Sequence, residues 1–183
     1  MILRPLNVDD KAEAVQAHNE MARDGFDFLL DTIGPFDETG SWKAYLGRLA
    51  SLQNGENVPA SWVPATFLIA EVDGQIVGRV SIRHQLNEYL ETRGGHIGYG
   101  VRPTYRGRGH ATEILQNALK IARELGINRV LVTCSDANVA SVKVTEKAGG
   151  VLENILEEGD EKIRRYWIEP ERPEGLRAAG LDS

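Results

Sequence analysis

The sequence predicts an α+β fold in which helices flank one mixed sheet. The main observation is the order of strand-like and helix-like segments, which runs β, α, α, β, β, β, α, β, α, β, β. The strands at 96–101 and 129–134 are joined by a helix, and such a crossover is right-handed and makes its two strands parallel. The length of 183 residues suits one domain with a substantial core. We therefore expect a single domain over 1–168 and a C-terminal tail over 169–183.

The N-terminal part is predicted to contain an edge strand and two helices. The segment ILRPLN is typical of an edge strand, because its proline cannot donate a hydrogen bond to a neighbouring strand. Asp9 or Asp10 is expected to cap a helix over 11–24. After an aperiodic stretch, Ser41 is expected to cap a second amphipathic helix that ends near Gln53.

The Asp73-Gly74 pair gives the clearest turn signal in the chain. It separates TFLIAEV (66–72) from QIVGRVSIRH (75–84), and Asp-Gly between two apolar runs is typical of a tight β-hairpin. A short helix or turn is expected in LNEYLETRGG, ahead of the glycine-marked strand HIGYGV.

The C-terminal half alternates strands and helices. Apolar residues recur at helical spacing from Ala111 to Leu125, and Gly126 is expected to end this helix. RVLVTC is typical of a buried strand, and NVASVKVTEKAGG of a helix closed by two glycines. Two final strands, VLENILEE and IRRYWIE, are expected on either side of a turn at Gly159 and Asp160.

The composition argues against several classes of function. A net charge of −6 disfavours general nucleic-acid binding, which needs a basic surface. Cys134 is the only cysteine and the four histidines are scattered, so we expect neither a disulfide nor a metal site. The N-terminus lacks the features of a signal peptide, and no segment approaches the roughly 20 apolar residues of a membrane span. We expect a cytoplasmic protein that binds neither nucleic acid nor membrane.

The segment VRPTYRGRGHATEIL predicts an anion-binding loop. It joins a strand to a helix, whose N-terminus presents unpaired amides and a partial positive charge. Gly107 and Gly109 let a phosphate approach the main chain. Arg106 and Arg108, together with Arg102, are expected to supply charge from the flanks.

Two other interpretations remain open from these residues alone. The first is a flexible turn with solvated arginines, because arginine and glycine are common in turns. The second is a dinucleotide-binding fingerprint, since GRGHAT supplies its first two glycines and Asp136 lies where a ribose-binding acid is expected. Thr112 replaces its third glycine, however, and Pro103 to Arg106 delay the turn that should follow the strand at once. The phosphate-loop motif of nucleotide hydrolases, G-x-x-x-x-G-K-[ST], is absent.

VRPTYRGRGHA resembles the acetyl-CoA-binding loop of the GNAT superfamily of N-acetyltransferases. The core of that motif, Arg/Gln-x-x-Gly-x-Gly/Ala, is met by Arg106, Gly109 and Ala111. A second stretch, NVASVKVTEKAGG, is similar to the family's Asn-x-x-Ala/Ser-x-x-x-x-Glu-Lys-x-Gly-Phe helix. It matches through Asn138, Ser141, Glu146, Lys147 and Gly149. The resemblance covers residues 66–168 well, whereas the preceding residues match in element order only.

The resemblance implies the GNAT acyl-CoA N-acyltransferase fold, with a mostly antiparallel sheet, a splayed pair of parallel strands and acetyl-CoA as co-substrate. The CoA pyrophosphate is then expected on the loop amides, and the pantetheine arm beside the glycine-marked strand, where Gly98 and Gly100 are expected to mark a bulge. The implied cofactor-binding residues are Tyr99, Val101, Arg106, Gly107, Arg108, Gly109, His110, Ala111, Thr112, Asn138 and Ser141.

In this family the acceptor amine attacks the thioester directly, which implies an N-acetyltransferase acting on a primary amine of a small molecule or a peptide N-terminus. His96 is the predicted catalytic base, since an ordinary imidazole pKa of about 6.5 suits the task; a structural histidine is the alternative. A strand amide near Tyr99 or Gly100 is expected to stabilise the oxyanion. Thr145 stands where many relatives carry a proton-donating tyrosine, so the acid is unassigned.

The acceptor is expected to bind against residues 25–65. Phe26, Phe28, Phe36 and Trp42 are candidates for its wall, with core packing as the alternative role of each. The acidic net charge favours cationic amines through long-range steering. A non-catalytic acyl-CoA sensor of the same fold is the alternative function. Relatives often form homodimers, but no interface can be read from the sequence.

Overall fold

The computed structural model describes residues 1–36, 41–56, 58–59 and 61–170, so most of the predicted tail lies outside the described residues. The strands are β1 (Ile2–Arg4), β2 (Ala65–Val72), β3 (Gln75–Arg83), β4 (Ile97–Val101), β5 (Val130–Ser135), β6 (Val151–Glu158) and β7 (Glu161–Ile168). The α-helices are α1 (Lys11–Ala22), α2 (Trp42–Asn54), α3 (Glu88–Thr92), α4 (His110–Glu124) and α5 (Val139–Lys147). This is the predicted order of elements, and the α+β class is confirmed.

The strands form two antiparallel sheets rather than one continuous mixed sheet. The first has the order β1-β2-β3-β4 and the second the order β5-β7-β6. No ladder joins β4 to β5 within the described residues. The predicted hairpin joins β2 to β3 through Asp73 and Gly74, whose φ angles of 51° and 76° are those that a two-residue turn of this kind requires. β1 lies at the sheet edge, as predicted.

The first helix begins differently from the prediction. Asn7 caps a short 3-10 helix that precedes α1, accepting from the Asp9 amide while the Asp10 carboxylate accepts from the Asn7 amide. This reciprocal pair takes the place of the predicted aspartate cap, because the two side chains satisfy each other's free amides. Ser41 caps α2 as predicted.

Two apolar cores lie on opposite faces of the first sheet. One packs Val80 and Ile82 of β3 against α4. The other packs Phe67 and Ile69 of β2 against α1 and α2. Because side chains alternate along a strand, the odd-numbered residues at the end of β3 face away from α4, towards the N-terminal helices.

β4 and β5 are joined at the point where they begin. The His96 amide donates to the Leu131 carbonyl (2.8 Å), and the Leu131 amide donates to Nδ1 of His96 (2.9 Å). A side chain on Gly95, whose φ is +59°, would overlap the Leu131 carbonyl oxygen. The segments that follow both strands line the same cavity, so the strands run in the same direction and diverge from this junction. The predicted splayed pair of parallel strands is confirmed: β4 and β5 are the facing edge strands of the two sheets.

The predicted bulge at Gly98 and Gly100 is wrong, because the register between β3 and β4 continues without a shift along all of β4. Glycine is required at both positions because neighbouring side chains leave little room for a Cβ. A Cβ on Gly100 would lie 2.6 Å from the Phe26 ring, and one on Gly98 would lie 3.2 Å from the Arg83 guanidinium. β4 therefore keeps a regular backbone with one face free of side chains.

Candidate functional site

A cavity of about 660 Å³ lies where the C-terminal end of β4, the loop before α4 and the first turns of α5 meet. The end of α1 and the segment after it close one side. The lining residues are Met21, Asp24, Phe26, Tyr99, Gly100, Val101, Tyr105, Arg106, Gly107, Gly109, His110, Ala111, Thr112, Asn138, Ala140, Ser141 and Val144. The cavity thus brings together the predicted cofactor-binding residues, with the exception of Arg108. Their role as ligands stays a prediction.

The loop before α4 presents a run of free main-chain donors to this cavity. The amides from Gly107 to Thr112 donate no hydrogen bond to any described residue. Gly109 is the N-cap of α4, and as it has no side chain it cannot cap the helix itself. Its φ of +85° and the φ of +76° at Gly107 turn successive amides to one side, which is the geometry of main-chain anion sites.

Two arginine side chains of the loop contact other groups of the protein. Arg106 donates through Nε to the Val101 carbonyl (3.0 Å), and its Nη2 lies 2.7 Å from the Asp24 carboxylate. The Arg108 guanidinium lies 5.7 Å from the centre of the Tyr105 ring. The main-chain amides, rather than the Arg106 side chain, are therefore the uncommitted donors at the cavity.

Arg102 does not face the predicted anion site, and its prediction as a flanking charge is wrong. Its buried guanidinium binds the carboxylates of Glu13 and Glu20 and the Ile76 carbonyl. The hydrogen bonds to Glu20 raise the pKa of Arg102, and Arg102 in turn holds the pKa of Glu20 below its usual value. Arg102 therefore ties the end of β4 to α1, a long-range contact that has no signal in the local sequence.

β4 offers an open main-chain edge to the cleft between the two sheets. In an antiparallel pair, main-chain hydrogen bonds to the neighbouring strand are made by every second residue. The 2.7 Å hydrogen bond from the Arg83 amide to the His96 carbonyl shows that the even-numbered residues of β4 bond to β3. The amides of Tyr99 and Val101 consequently point away from β3, towards β5. The Gly100 amide points to β3, so the predicted oxyanion donor can only be the Tyr99 amide.

The Tyr99 side chain reaches from β4 to α5. Its hydroxyl lies 3.2 Å from Oγ of Ser141. Burial raises the pKa of Tyr99, so the phenol carries its proton at neutral pH. Thr145 is fully buried one turn further along α5, and its Oγ1 has no hydrogen-bond partner among the described residues. Burial also raises the pKa of Cys134, which lies near the end of β5 as a neutral thiol.

Asn138 lines the cavity and also caps α5. Its side chain accepts from the Ser141 amide at 3.1 Å, which is the capping role that its type and position allow. This bond fixes the first turn of α5, the turn that carries the hydroxyl facing Tyr99.

His96 lies outside the cavity lining and is 7% exposed. Because its Nδ1 accepts from the Leu131 amide, the proton of the neutral ring is on Nε2, and that nitrogen is a donor. Burial, with Arg83 as a smaller cause, lowers the pKa of His96 to about 4. The geometry supports a role in pinning the strand junction. It lends no support to His96 as the base, which stays a prediction.

The predicted acceptor wall is divided between the cavity and the core. Phe26 lines the cavity, whereas Phe28 and Trp42 are buried in the core beside α1 and α2. The Phe36 ring packs edge-on against His18, with centroids 4.9 Å apart. Residues 37–40, 57 and 60 of this region lie outside the described residues.

Sequence reasoning missed the part of the lining that comes from the N-terminal region. Met21, Asp24 and Phe26 approach the loop from the end of α1 and the aperiodic stretch that follows it. Neither periodicity nor a motif marks them. The pairing of Asp24 with Arg106 depends on how α1 packs across the sheet, and the local sequence carries no signal of it.

The described parts of the chain carry neither a metal-binding cluster nor a helix that could span a membrane. There, no group of three or more His, Cys, Asp or Glu side chains is arranged to hold a metal. No described helix combines the length and the apolar character needed to cross a bilayer. The donors around the cavity are main-chain amides and hydroxyl groups.

Comparison with known sequences identifies relatives. The family model of the acetyltransferase (GNAT) domain matches residues 1–151. An uncharacterized N-acetyltransferase of Bacillus subtilis (strain 168), YnaD, is 30% identical over 74 residues, which are 40% of this chain and 44% of that protein. An acetyltransferase of Yersinia pestis (strain Pestoides F) is 34% identical over 84 residues, 46% of this chain and 56% of that protein. The chain spans about half the length of these curated relatives.

A solved structure shares the fold. The structure of yncA from Salmonella typhimurium, solved with its cofactor acetyl-CoA, aligns over 100% of this chain and 98% of that chain. The TM-score is 0.60 and the sequence identity is 15%. At that identity the likeness concerns the fold alone.

Proposed function

The chain belongs to the GNAT acetyltransferase family, and on that premise we propose that it transfers the acetyl group of acetyl-CoA to a primary amine of a small molecule or a peptide N-terminus. The observation that carries the proposal is that one cavity joins a run of unpaired loop amides to the open edge of a strand. CoA fits both features, because it carries a pyrophosphate and a pantetheine arm with peptide-like amides. The dinucleotide interpretation of the loop is wrong, since the family match places it in an acetyltransferase domain.

The two features divide the cofactor between them. The amides from Gly107 to Thr112 hold the pyrophosphate at the N-terminus of α4, where the helix dipole adds a favourable field. The pantetheine pairs with the main chain of Tyr99 and Val101 as an added strand. Arg108, which has no carboxylate partner within the described residues, flanks the phosphates from the loop.

The acyl transfer is a direct displacement at the thioester carbon. The amine nitrogen forms a bond to that carbon, and the carbonyl electron pair moves to oxygen, where the Tyr99 amide donates to it. Collapse restores the carbonyl, breaks the carbon–sulfur bond and leaves the electron pair on sulfur. The Tyr99 hydroxyl, held beside Ser141, gives its proton to that sulfur in place of the tyrosine that position 145 lacks.

Proton removal from the amine needs no side chain of strong basicity. The attacking amine must be neutral, and after attack its nitrogen is strongly acidic and loses a proton to water. That proton balances the one that Tyr99 gives to sulfur and later regains from solvent. His96 acts indirectly in this scheme, because it fixes the separation of β4 and β5 through its two bonds to Leu131.

The proposal is tested by mixing the protein with acetyl-CoA and a panel of primary amines. Release of the free CoA thiol is followed by a colorimetric reagent, and the acetylated amine by mass spectrometry. We expect one acetylated product per thiol released for at least one class of amine. Saturable acetyl-CoA binding without product for any amine would instead identify the non-catalytic acyl-CoA sensor and refute the enzyme.

A further inference from the structure

Three polar side chains of β3 share one face of the first sheet. Arg79, Ser81 and Arg83 occupy alternate positions of the strand, on the side away from α4. Arg79 and Ser81 lie opposite Gly100 and Gly98 of β4, and the Arg83 guanidinium lies over Gly98. Since neither glycine has a side chain, the Arg83 guanidinium occupies the space above Gly98 and the Phe26 ring the space above Gly100, with the Arg79 guanidinium on the Phe26 ring.

The positive charge on this face has no anionic partner among the described residues. Arg79 is 7% exposed and donates from Nη2 to the Asp27 carbonyl (2.7 Å), and its buried Nε has no hydrogen-bond partner among the residues that the structure describes. Arg83 donates from Nη1 to the carbonyls of Gly94 (2.9 Å) and Gly95 (3.3 Å). No described carboxylate lies within ion-pair distance of either guanidinium.

The two buried arginines of the described chain, Arg79 and Arg102, differ in their partners, because only Arg102 pairs with carboxylates. Arginines at several positions do pair with carboxylates, namely Arg4, Arg93, Arg102, Arg106, Arg164 and Arg165. Burial lowers the pKa of Arg79 to about 10, with repulsion from Arg83 as a further cause. The group is therefore still charged at neutral pH. A buried charge without a partner is costly, which points to a partner that arrives with a ligand.

The face adjoins the proposed reaction centre. Tyr99, whose amide is the proposed oxyanion donor, stands between the two glycines that the Arg83 guanidinium and the Phe26 ring cover. Phe26 both stacks on Arg79 (4.5 Å from Cζ to the ring centre) and lines the cavity. Ser81 stands between the two arginines along the strand and is buried as a residue.

We propose that Arg79, Ser81 and Arg83 form the acceptor subsite, and that they select primary amines carrying a carboxylate or phosphate group a few bonds from the nitrogen. This rests on the proposed acetyl transfer and names its substrate class. Guanidinium groups match both anions through paired hydrogen bonds. Polyamines are disfavoured, because their charge meets two arginines here. The local charge thus opposes the preference for cationic acceptors that the net charge suggests.

Binding is measured by calorimetry on the wild-type protein saturated with CoA, so that no turnover occurs. One pair of probes is β-alanine and its amide, and the other is 2-aminoethyl phosphate and ethylamine. We expect the anionic member of at least one pair to bind at least about tenfold more tightly than its neutral partner. The pair that shows the difference identifies the anion. Equal or absent binding of the charged and neutral members in both pairs overturns the proposal, and this comparison needs no variant.

Variants then locate the effect. Arg83→Gln should abolish the preference for the anion, Arg83→Lys should restore part of it, and the affinity for CoA should not change in either. Lys120→Gln removes one exposed positive charge on α4 and should leave the preference intact. An undiminished preference in Arg83→Gln overturns the assignment of the subsite.

The failure of this inference can be distinguished from failure of the proposed function. Charge-selective binding to the CoA complex without any acetylated product supports the subsite and refutes the enzyme. Efficient acetylation of neutral and anionic amines alike supports the enzyme and refutes the subsite.

Discussion

Replacing His96 by asparagine separates the structural role of this residue from the catalytic one. The asparagine Oδ1 can accept from the Leu131 amide much as Nδ1 does, but it does not titrate. Burial lowers the pKa of His96 from 6.5 to about 4. The unfolded chain therefore takes up a proton near pH 6.5 and the folded chain only near pH 4. The stability that the neutral ring contributes is complete above pH 6.5 and is lost as the pH falls through this window.

The size of the loss follows from the pKa difference. Each pKa unit corresponds to about 1.4 kcal/mol, so the free energy of unfolding should fall by up to about 3 kcal/mol between pH 7 and pH 4 because of His96. The carboxylates of Asp10 and Glu20, whose pKa values are lowered, lose stabilisation in acid as well. They do so in both proteins, so the difference between wild type and His96→Asn isolates the imidazole.

Urea denaturation followed by circular dichroism at several pH values measures this difference. Wild type should lose up to about 3 kcal/mol more than His96→Asn on going from pH 7 to pH 4. The pH profile of kcat/KM provides the second readout, since a base with an ordinary pKa would lose activity below pH 6.5 in the wild type. Two results together would refute the structural role and support the predicted base. The free energies of unfolding of both proteins would change equally with pH, and kcat/KM of the wild type would fall below pH 6.5 in a way that His96→Asn does not show.

Three further variants test other contacts. Arg102→Gln should lower the free energy of unfolding by about 1–3 kcal/mol in urea melts, because it removes the hydrogen bonds of a buried guanidinium to two part-exposed carboxylates, while calorimetry should show unchanged acetyl-CoA affinity in the folded protein. Gly100→Ala should cost about 1–3 kcal/mol in the same melts, because its Cβ would lie 2.6 Å from the Phe26 ring and 2.8 Å from Met21. Tyr99→Phe should reduce kcat about 100-fold with acetyl-CoA affinity unchanged, and an unaltered kcat would remove the phenol from the mechanism.

The features that could be predicted from the sequence alone are those that depend on residues close together in the chain. The order of elements, the Asp73-Gly74 hairpin and the helical stripe from Ala111 depend on local periodicity and turn chemistry, and the structure reproduces them. The strand, the two glycines and the helix N-terminus of the predicted anion-binding loop also follow one another in the chain, and the structure places them as expected, while the binding of an anion there stays a prediction.

The errors arise where distant segments meet. The Arg102 side chain binds α1 instead of facing the loop, because two glutamates of that helix lie within hydrogen-bonding distance of its guanidinium. Gly98 and Gly100 leave room for distant side chains that pack over β4. The sequence shows the glycines but not the side chains that cover them. The environment of His96 depends on Leu131, which lies on the far side of a crossover helix. Sequence proximity gives no information on such contacts.

The loop amides are tested most directly by calorimetric titration of acetyl-CoA into wild type, Ala111→Pro and Ala111→Ser. Proline in the first helical turn removes one amide donor at little cost to the helix, and serine keeps that donor. Thermal melting confirms that both variants are folded. We expect saturable binding by wild type and Ala111→Ser, and binding at least about tenfold weaker by Ala111→Pro, since one hydrogen bond to a charged group is lost. Equal affinity in all three proteins, or no binding by wild type, would contradict the assignment of the loop as the cofactor's phosphate site.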